Sequence, residues 1–340
     1  MDRPWVPAGL KYSSVSFKDT PSLLVQRTAR LRGKNELDTK FLKYLISDKR
    51  FTQYVKTINT GSLVPHISAK QIGEFKTKIP PLNIQEKISK TLGVIDQKID
   101  LNNRINSELE TMAKTLYDYW FVQFDFPDTN GKPYKTSGGK MVYNAKLKRK
   151  IPEGWSDKSL SEIANITMGQ SPEGSSYNDE GVGTVFYQGS TDFSWLFPTI
   201  RQYTTAPNRM AKQGDILLSV RAPVGDMNIA NTDCCIGRGL AALNSKTGSD
   251  GFLFYVMKYF KQIFDRRNSE GTTFGSITRN DLYSLPLVYP TKELLEKYDS
   301  IVSKYNEMIF KRSLENRQLA ELRDWLLPML MNGQVTVAND

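Results

Sequence analysis

Residues 82–120 read LNIQEKISKTLGVIDQKIDLNNRINSELETMAKTLYDYW, and the spacing of their apolar side chains decides the architecture. Ile88, Leu92, Ile95, Ile99, Asn102, Asn106, Leu109, Ala113, Leu116 and Trp120 follow one another in steps of four and three, a heptad seam. The same register returns later as Tyr298, Val302, Tyr305, Ile309, Arg312, Asn316, Leu319, Arg323, Leu326 and Leu330. At 1.5 Å per residue each seam spans roughly 50 Å. Both turn polar at their middles, Asn102/Asn106 in one and Arg312/Asn316 in the other. Antiparallel pairing would set these patches face to face, and buried polar groups in a seam fix register at some cost in stability. The alternative is an ordinary amphipathic helix packed on its own domain; two matched seams in one chain favour pairing within it.

The seams belong to a larger duplication. Phe41-Leu42-Lys43-Tyr44-Leu45 aligns with Phe252-Leu253-Phe254-Tyr255-Val256, Gly61 with Gly271, Ile67-Ser68 with Ile277-Thr278, Ile72 with Leu282, Pro80 with Pro290 and Asn106 with Asn316. Upstream, Leu24-Val25-Gln26-Arg27 aligns with Cys235-Ile236-Gly237-Arg238 at an offset of 211. A separation this long is a duplicated domain and not a solenoid period.

Composition narrows the function. The 340 residues are 39% apolar and 24% charged, enough for two domains with cores of their own. No apolar run approaches the ~20 residues of a membrane span, and no apolar signal segment follows Met1–Trp5. Cytoplasm is therefore the expected compartment. One histidine, His66, and two adjacent cysteines, Cys234 and Cys235, leave no Ser-His-Asp or Cys-His pair, zinc site or disulfide framework. The cysteines read as buried strand residues and His66 as a surface or capping residue. GxxxxGK[ST], GxGxxG and HExxH are absent, as is the Asn/Asp-Pro-Pro-aromatic signature of adenine methylation. Pro127-Asp128 and Glu74-Phe75-Lys76 make a nuclease pattern only in the wrong order. No catalytic residue and no metal ligand is assigned; a binding protein is expected.

The net charge of +10 is uneven: residues 1–150 carry 27 basic and 14 acidic side chains, the remaining 190 carry 19 and 22. Excess positive charge points to nucleic acid or another polyanion, with a solvated lysine surface as the alternative. Residues 132–150, rich in Gly, Ser and Lys, read as a linker. Beyond it, Ile151-Pro152-Glu153-Gly154-Trp155 opens a stretch with candidate strands at 185–187, 215–220, 227–230 and 239–243, separated by Gly- and Pro-containing turns, and then a helix at 250–264. Short strands at this spacing indicate a bent mixed sheet.

IPEGW (151–155), GQSP (169–172), GDILLSVRAPVGD (214–226), GRGLAAL (237–243), FGSITRNDLYSLPL (274–287) and HISAKQIGEFKTKIPPLNIQEKI (66–88) together resemble the specificity subunit of type I restriction-modification enzymes, over nearly the whole chain. The resemblance implies a non-catalytic reader of double-stranded DNA: two target-recognition domains set apart by two antiparallel helices. It implies docking of methylation and restriction subunits, which would carry AdoMet, ATP and magnesium, so that this chain needs no cofactor. The expected fold is α+β, with mixed-sheet target-recognition domains and two long helices paired as an antiparallel coiled coil. The expected order is a partial first recognition domain (1–80), a spacer helix (81–125), a basic linker (126–150), a complete second recognition domain (151–290), a second spacer helix (291–333) and a tail (334–340).

One departure from the family stands out. About 100 residues of sheet precede Phe252 after residue 150, whereas only forty residues precede Phe41. Residues 1–80 therefore read as the C-terminal half of a recognition domain, unstable alone or completed by another chain, a second copy among the candidates. An assembly scaffold or decoy with little sequence preference is the alternative function.

Base reading needs polar side chains on stiff turns: Arg on guanine, Gln or Asn on adenine, Ser or Thr on either. The candidates are Gln170, Ser171, Ser175, Tyr177, Gln188, Ser190, Arg201, Arg221, Arg238, Thr273 and Arg279, with plain loop solvation as the alternative for each. For Arg238, between two glycines, a phosphate contact and a brace for the sheet are equal alternatives. Phe186, Tyr187, Phe193, Trp195 and Phe197 read as core more readily than as stacking platforms. Residues 151–290 carry 12 basic and 14 acidic side chains, so this domain would have to gather its arginines on one face.

Overall fold

A heptad seam buries its stripe only against a partner, and here each long helix has one. The computed structural model describes residues 5–6, 9–10, 12–26, 28–58, 67–221, 223–269 and 276–337, with the side chains of all of these but 5–6, 9–10 and 266–269. The two long helices run Leu82–Tyr117 and Lys292–Met331. The chain divides into two compact units, Met1–Ser107 with Phe310–Asp340 and Glu108–Ile309, so each unit takes part of both helices. This cut crosses the helices, whereas the sequence suggested boundaries at their ends.

In unit 1 the helix segments pair antiparallel: Asp96 meets Arg323, Asn102 meets Asn316, and Asn106 meets Ser313. The polar middles do face each other. Asn102 Nδ2 donates to Asn316 Oδ1 at 2.9 Å and to Glu315 Oε2 at 2.8 Å, and Asn316 Nδ2 donates to Asn103 Oδ1 at 2.8 Å. Glu315 was not among the expected seam residues. Asn102 and Asn106 are buried, yet Asn106 Oδ1 accepts no hydrogen bond, a cost of ~1–3 kcal/mol. On one side of this polar layer Ile88 and Leu92 join Leu327, Leu330 and Met331, together with Phe41, Tyr44 and Leu45 of the helix Thr39–Ser47. That helix starts at Asp38, whose Oδ1 accepts from the Phe41 N–H at 2.7 Å, a side-chain cap. A satellite core of Phe51, Val55 and Ile67 closes the helix Lys49–Ile58.

The seam drifts. A straight helix turns about 20° per heptad against a strict seven-residue repeat. Tyr117 is accordingly buried in place of Leu116, and Leu327 is buried in place of Leu326. Ile95, Leu109, Tyr298, Val302 and Ile309 are buried as expected, whereas Ile99, Tyr305, Arg312, Asn316 and Leu319 are half-buried.

Asp96 ties three elements of unit 1 together. Its Oδ2 accepts from Lys43 Nζ at 2.5 Å and from Tyr44 Oη at 2.8 Å, and its Oδ1 from Arg323 Nη1 at 3.1 Å. Burial alone would raise this carboxyl; the three donors outweigh it and hold it below the usual carboxylate value of 3.8. A depressed folded value gives stability that is full above pH 3.8 and is lost as pH falls through the folded value. Asp96→Asn is expected to cost about 2 kcal/mol at pH 7. The gap to the parent chain should close as urea unfolding is repeated at successively lower pH, below 3.8.

Unit 2 carries the sheets. A mixed sheet orders its strands Met210–Ala211, Cys234–Ile236, Thr184–Tyr187, Tyr203–Thr204 and Tyr177–Asn178; only the pairing of Cys234–Ile236 with Thr184–Tyr187 is parallel. An antiparallel sheet orders Met227–Ile229, Ile216–Ser219, Leu240–Ser245 and Ala164–Met168. Tyr187, Leu217, Cys234, Ile236, Leu240 and Ala242 fill the core between them, and both cysteines are buried in a strand as expected. Ser156–Ser159 pairs antiparallel with Pro286–Tyr289, just ahead of the second long helix. Phe252 and Tyr255, on the helix Asp250–Ser269, pack with Tyr117, Phe121 and Tyr298 of the long-helix segments.

Residues 126–150, expected as a basic linker, are folded. Met141–Asn144 pairs with Arg149–Pro152, Phe126 stacks between Tyr134 and Trp155, and Asp125 accepts from the Thr136 N–H and hydroxyl at 2.7 and 2.6 Å. The expected tail is partly ordered too: Gln334 N–H donates to Met329 O at 2.9 Å, and Val337 packs on the unit 1 core. Among the described residues no helix is long and apolar enough to cross a membrane.

Candidate nucleic-acid interface

Three turns of unit 2 converge because glycines let their backbones touch. The Gly169 N–H donates to Leu240 O at 2.9 Å, Gln170 N–H to Ile236 O at 3.0 Å, Gly237 N–H to Tyr187 O at 2.8 Å and Gly239 N–H to Gln188 O at 3.2 Å. A Cβ on Gly169 would lie 2.1 Å from Gly237 O, and one on Gly239 2.8 Å from Gln188 O. These glycines are needed for close approach, since none of the three has a positive φ. The GQSP, QGS and GRG turns are thereby stitched side by side at the strand ends.

Their side chains bond to one another. Gln188 Nε2 donates to Ser171 Oγ at 2.8 Å, and the Arg238 N–H donates to the same hydroxyl at 3.3 Å. Gln170, Gln188 and the Arg238 side chain are exposed. Next to them, Gly189, Ser190, Thr191 and Gly239 line a cleft of about 310 Å³ together with Ser219, Arg221, Pro223 and Asp226. Arg221 stands at its rim, held by a backbone bridge to Ser276 and by Ser219 Oγ donating to Arg221 O at 2.9 Å. Six of the sequence candidates, Gln170, Ser171, Gln188, Ser190, Arg221 and Arg238, thus share one polar surface.

The others are placed differently. Arg201 Nε pairs at 2.8 Å with Asp192, a carboxylate buried at the end of the Ser190–Asp192 turn, so this arginine braces the turn. Tyr177 lies against Phe186 with 4.8 Å between ring centroids and donates to Pro172 O at 3.0 Å, which holds the GQSP turn from below. Ser175 is exposed in the short turn Gly174–Ser176. Arg279 lies over the Tyr283 ring at 4.8 Å, and the Tyr283 hydroxyl donates to Ile166 O at 3.0 Å. Thr273, like His66, Arg266 and Arg267 in their side chains, lies outside the described residues. Of the aromatic series, Phe186 and Tyr187 are fully buried, Phe193 and Phe197 half-buried, and Trp195 is 50% exposed.

Asp226 and Thr191 are cleft residues that sequence reasoning missed. Asp226 stands in the GDILLSVRAPVGD stretch, where its position after the VG turn was the available signal; its Oδ1 pairs with Lys261 Nζ at 2.9 Å. A carboxylate there can accept from an exposed amino group such as cytosine N4.

Residues 7–111 and 152–322 match the family described as type I restriction modification DNA specificity domain, which is most of the chain. A protein of Methanocaldococcus jannaschii that bears the provisional name of MjaX type I restriction enzyme specificity subunit is 31% identical over 314 residues, 90% of this chain and 70% of its own length. The HindI type I restriction enzyme specificity subunit of Haemophilus influenzae is 23% identical over 360 aligned positions, covering 87% of this chain and 77% of its own length. In fold, the chain is similar to the crystal structure of the type I restriction-modification S subunit from M. genitalium, with a TM-score of 0.51 at 18% identity over 87% of this chain and 73% of that one. With this match across both copies of its repeat, the chain belongs to the family of type I restriction-modification DNA specificity proteins.

Proposed function

We propose that this chain is the sequence-reading subunit of a type I restriction-modification complex, and that unit 2 reads double-stranded DNA with the turns 169–172, 188–190 and 237–239 and with Arg221. The observation that carries this reading is the convergence of three backbone-stitched turns whose Gln, Ser and Arg side chains share one exposed polar surface. The family membership supports it. Such a subunit positions DNA and turns over nothing itself. Methylation and restriction subunits are its partners and carry AdoMet, ATP and magnesium, and the complex works in the cytoplasm. Unit 2 is close to neutral overall, so the partners supply much of the phosphate neutralisation on which affinity rests.

The test is to sequence modified bases in cells carrying this chain with its methylation subunit. One defined motif should be protected, and deleting this chain should abolish the modification; modification that persists would refute the reading. Methylation-subunit binding without any sequence preference would favour a scaffold. With the motif in hand, Arg221→Ala or Gln170→Ala is expected to weaken specific binding by ~1–3 kcal/mol or to change the motif. An equal loss on random DNA would instead mark a phosphate contact.

A further inference from the structure

Arg221 and Asp226 stand at the two ends of one turn and line the same cleft of unit 2. The turn is held firmly. The Ser219 N–H donates to Asp226 O at 2.7 Å, the Gly225 N–H donates to Ser219 O at 2.9 Å, and Val224 within the turn is buried. Asp226 Oδ1 is taken by Lys261 Nζ at 2.9 Å, and this ammonium also pairs with Asp265. No hydrogen bond reaches Asp226 Oδ2 among the described residues. The Arg221 side chain is exposed, and its guanidinium joins no ion pair among the described residues. Gly189 keeps one wall of the cleft clear: its φ of −169° is open to any residue, and a Cβ there would meet nothing within 4 Å. The fold itself does not need a glycine at this place, whereas close approach of a ligand does.

A fork of donors beside a free carboxylate oxygen selects its ligand. A phosphate would satisfy Arg221 but would be repelled by Asp226. The major-groove edge of adenine sets one acceptor, N7, next to an amino donor, so it cannot take both arms of an arginine. Guanine sets two acceptors, N7 and O6, together, and the next group along the edge of its pair is cytosine N4, a donor. We propose that this cleft reads one G·C base pair, with Arg221 donating to guanine N7 and O6 and Asp226 Oδ2 accepting from cytosine N4. Lys261 is the positioning residue: it holds Oδ1 and leaves Oδ2 for the base. The inference rests on unit 2 being a reader of double-stranded DNA, and adds the identity of one base pair and the two side chains that select it.

The test uses the full chain with its methylation subunit and maps the modified motif for the parent and for three variants. In Arg221→Gln the new amide matches adenine N6 and N7. In Asp226→Asn the amide oxygen stays with Lys261 and Nδ2 replaces Oδ2, so a donor faces the pyrimidine and matches thymine O4. Each single variant should lose at least tenfold of the preference for G·C at one and the same position. The double variant should prefer A·T there at least tenfold, a gain that misfolding cannot produce. A second arm leaves the protein unaltered: 7-deazaguanine, which lacks the N7 acceptor, is placed at each guanine of the motif in turn. At one of them it should weaken binding by the parent complex at least tenfold, and Arg221→Gln should be indifferent to it. A motif without G·C, single variants that relax different positions or all positions alike, a double variant still faithful to G·C, or a parent complex indifferent to 7-deazaguanine would overturn the proposal and leave unit 2 a DNA reader. A parent complex that marks no motif at all would overturn the underlying reading as well.

Discussion

Gly169→Ala is expected to lower the stability of unit 2 by about 3 kcal/mol, the upper range for overpacking a site that cannot yield. The added Cβ would meet Gly237 O at 2.1 Å and Leu240 O at 2.8 Å, and both atoms are backbone rather than the ends of flexible side chains. Relief requires parting the two strands that Gly169 joins, which breaks its own bond to Leu240 O and loosens the adjacent ladder from Ala241↔Met168 onward. Calorimetry should place the loss at roughly 9 °C in Tm for a domain of this size. Specific DNA binding should fall further than stability, because the GQSP and GRG turns lose their shared register. Gly174→Ala is the control: its Cβ would meet nothing within 4 Å, and no change is expected. An unperturbed Gly169→Ala chain would mean that the turns are not stitched as described.

Phe252→Ala should cost unit 2 about 4 kcal/mol, and Phe41→Ala should cost unit 1 a similar amount. The two residues hold the same place in the repeat and are 2% and 1% exposed. Phe252 meets Phe121 edge-on at 4.9 Å between centroids and lies within 6.1 Å of Tyr117 and Tyr289, so truncation leaves a cavity among rigid rings that cannot collapse into it. Phe41 sits among Tyr44, Leu45, Ile88, Leu92 and Leu327. Phe17→Ala, at a 93% exposed position, should stay within 0.5 kcal/mol. Urea unfolding of the three variants checks the ranking, and equal midpoints would refute the assignment of these cores.

The elements with strong periodicity were legible in the sequence. Both long helices and their polar middles follow from a repeated four-and-three spacing, which is a local signal, whereas the antiparallel order of the pairing in unit 1 was implied by the family resemblance and not by the spacing. The strands at 184–187, 216–219, 227–229 and 240–245 lie within a residue or two of expectation, because apolar runs bounded by Gly and Pro turns are local too. What escaped depended on partners distant in the chain. Residues 126–150 have a linker's composition, and the hairpin of Met141–Asn144 with Arg149–Pro152, the stacking of Phe126 on Trp155 and the bonds from Thr136 to Asp125 fold them. The helix drift that exchanged Leu116 for Tyr117 is a fraction of a turn accumulated over several heptads. Within the candidate site, the residue types were readable but their grouping was not. Arg201 and Arg221 look alike in sequence; one is committed to the buried Asp192 and the other stands at the mouth of a cleft.

If unit 2 reads bases with Gln188 as proposed, the bond between Gln188 and Ser171 bears on fidelity. A free glutamine loses close to 2 kcal/mol of rotamer freedom when it is immobilised. Gln188 is already aimed by Ser171, which is in turn held by the Arg238 amide. Its entropy is therefore lost while the chain folds, and would not be lost again on DNA in the proposed reading. As the proposed base reader, an amide fixed in this way would have little scope to swivel toward an incorrect base, so an imperfect site would be rejected by geometry at first encounter instead of being accommodated and released slowly.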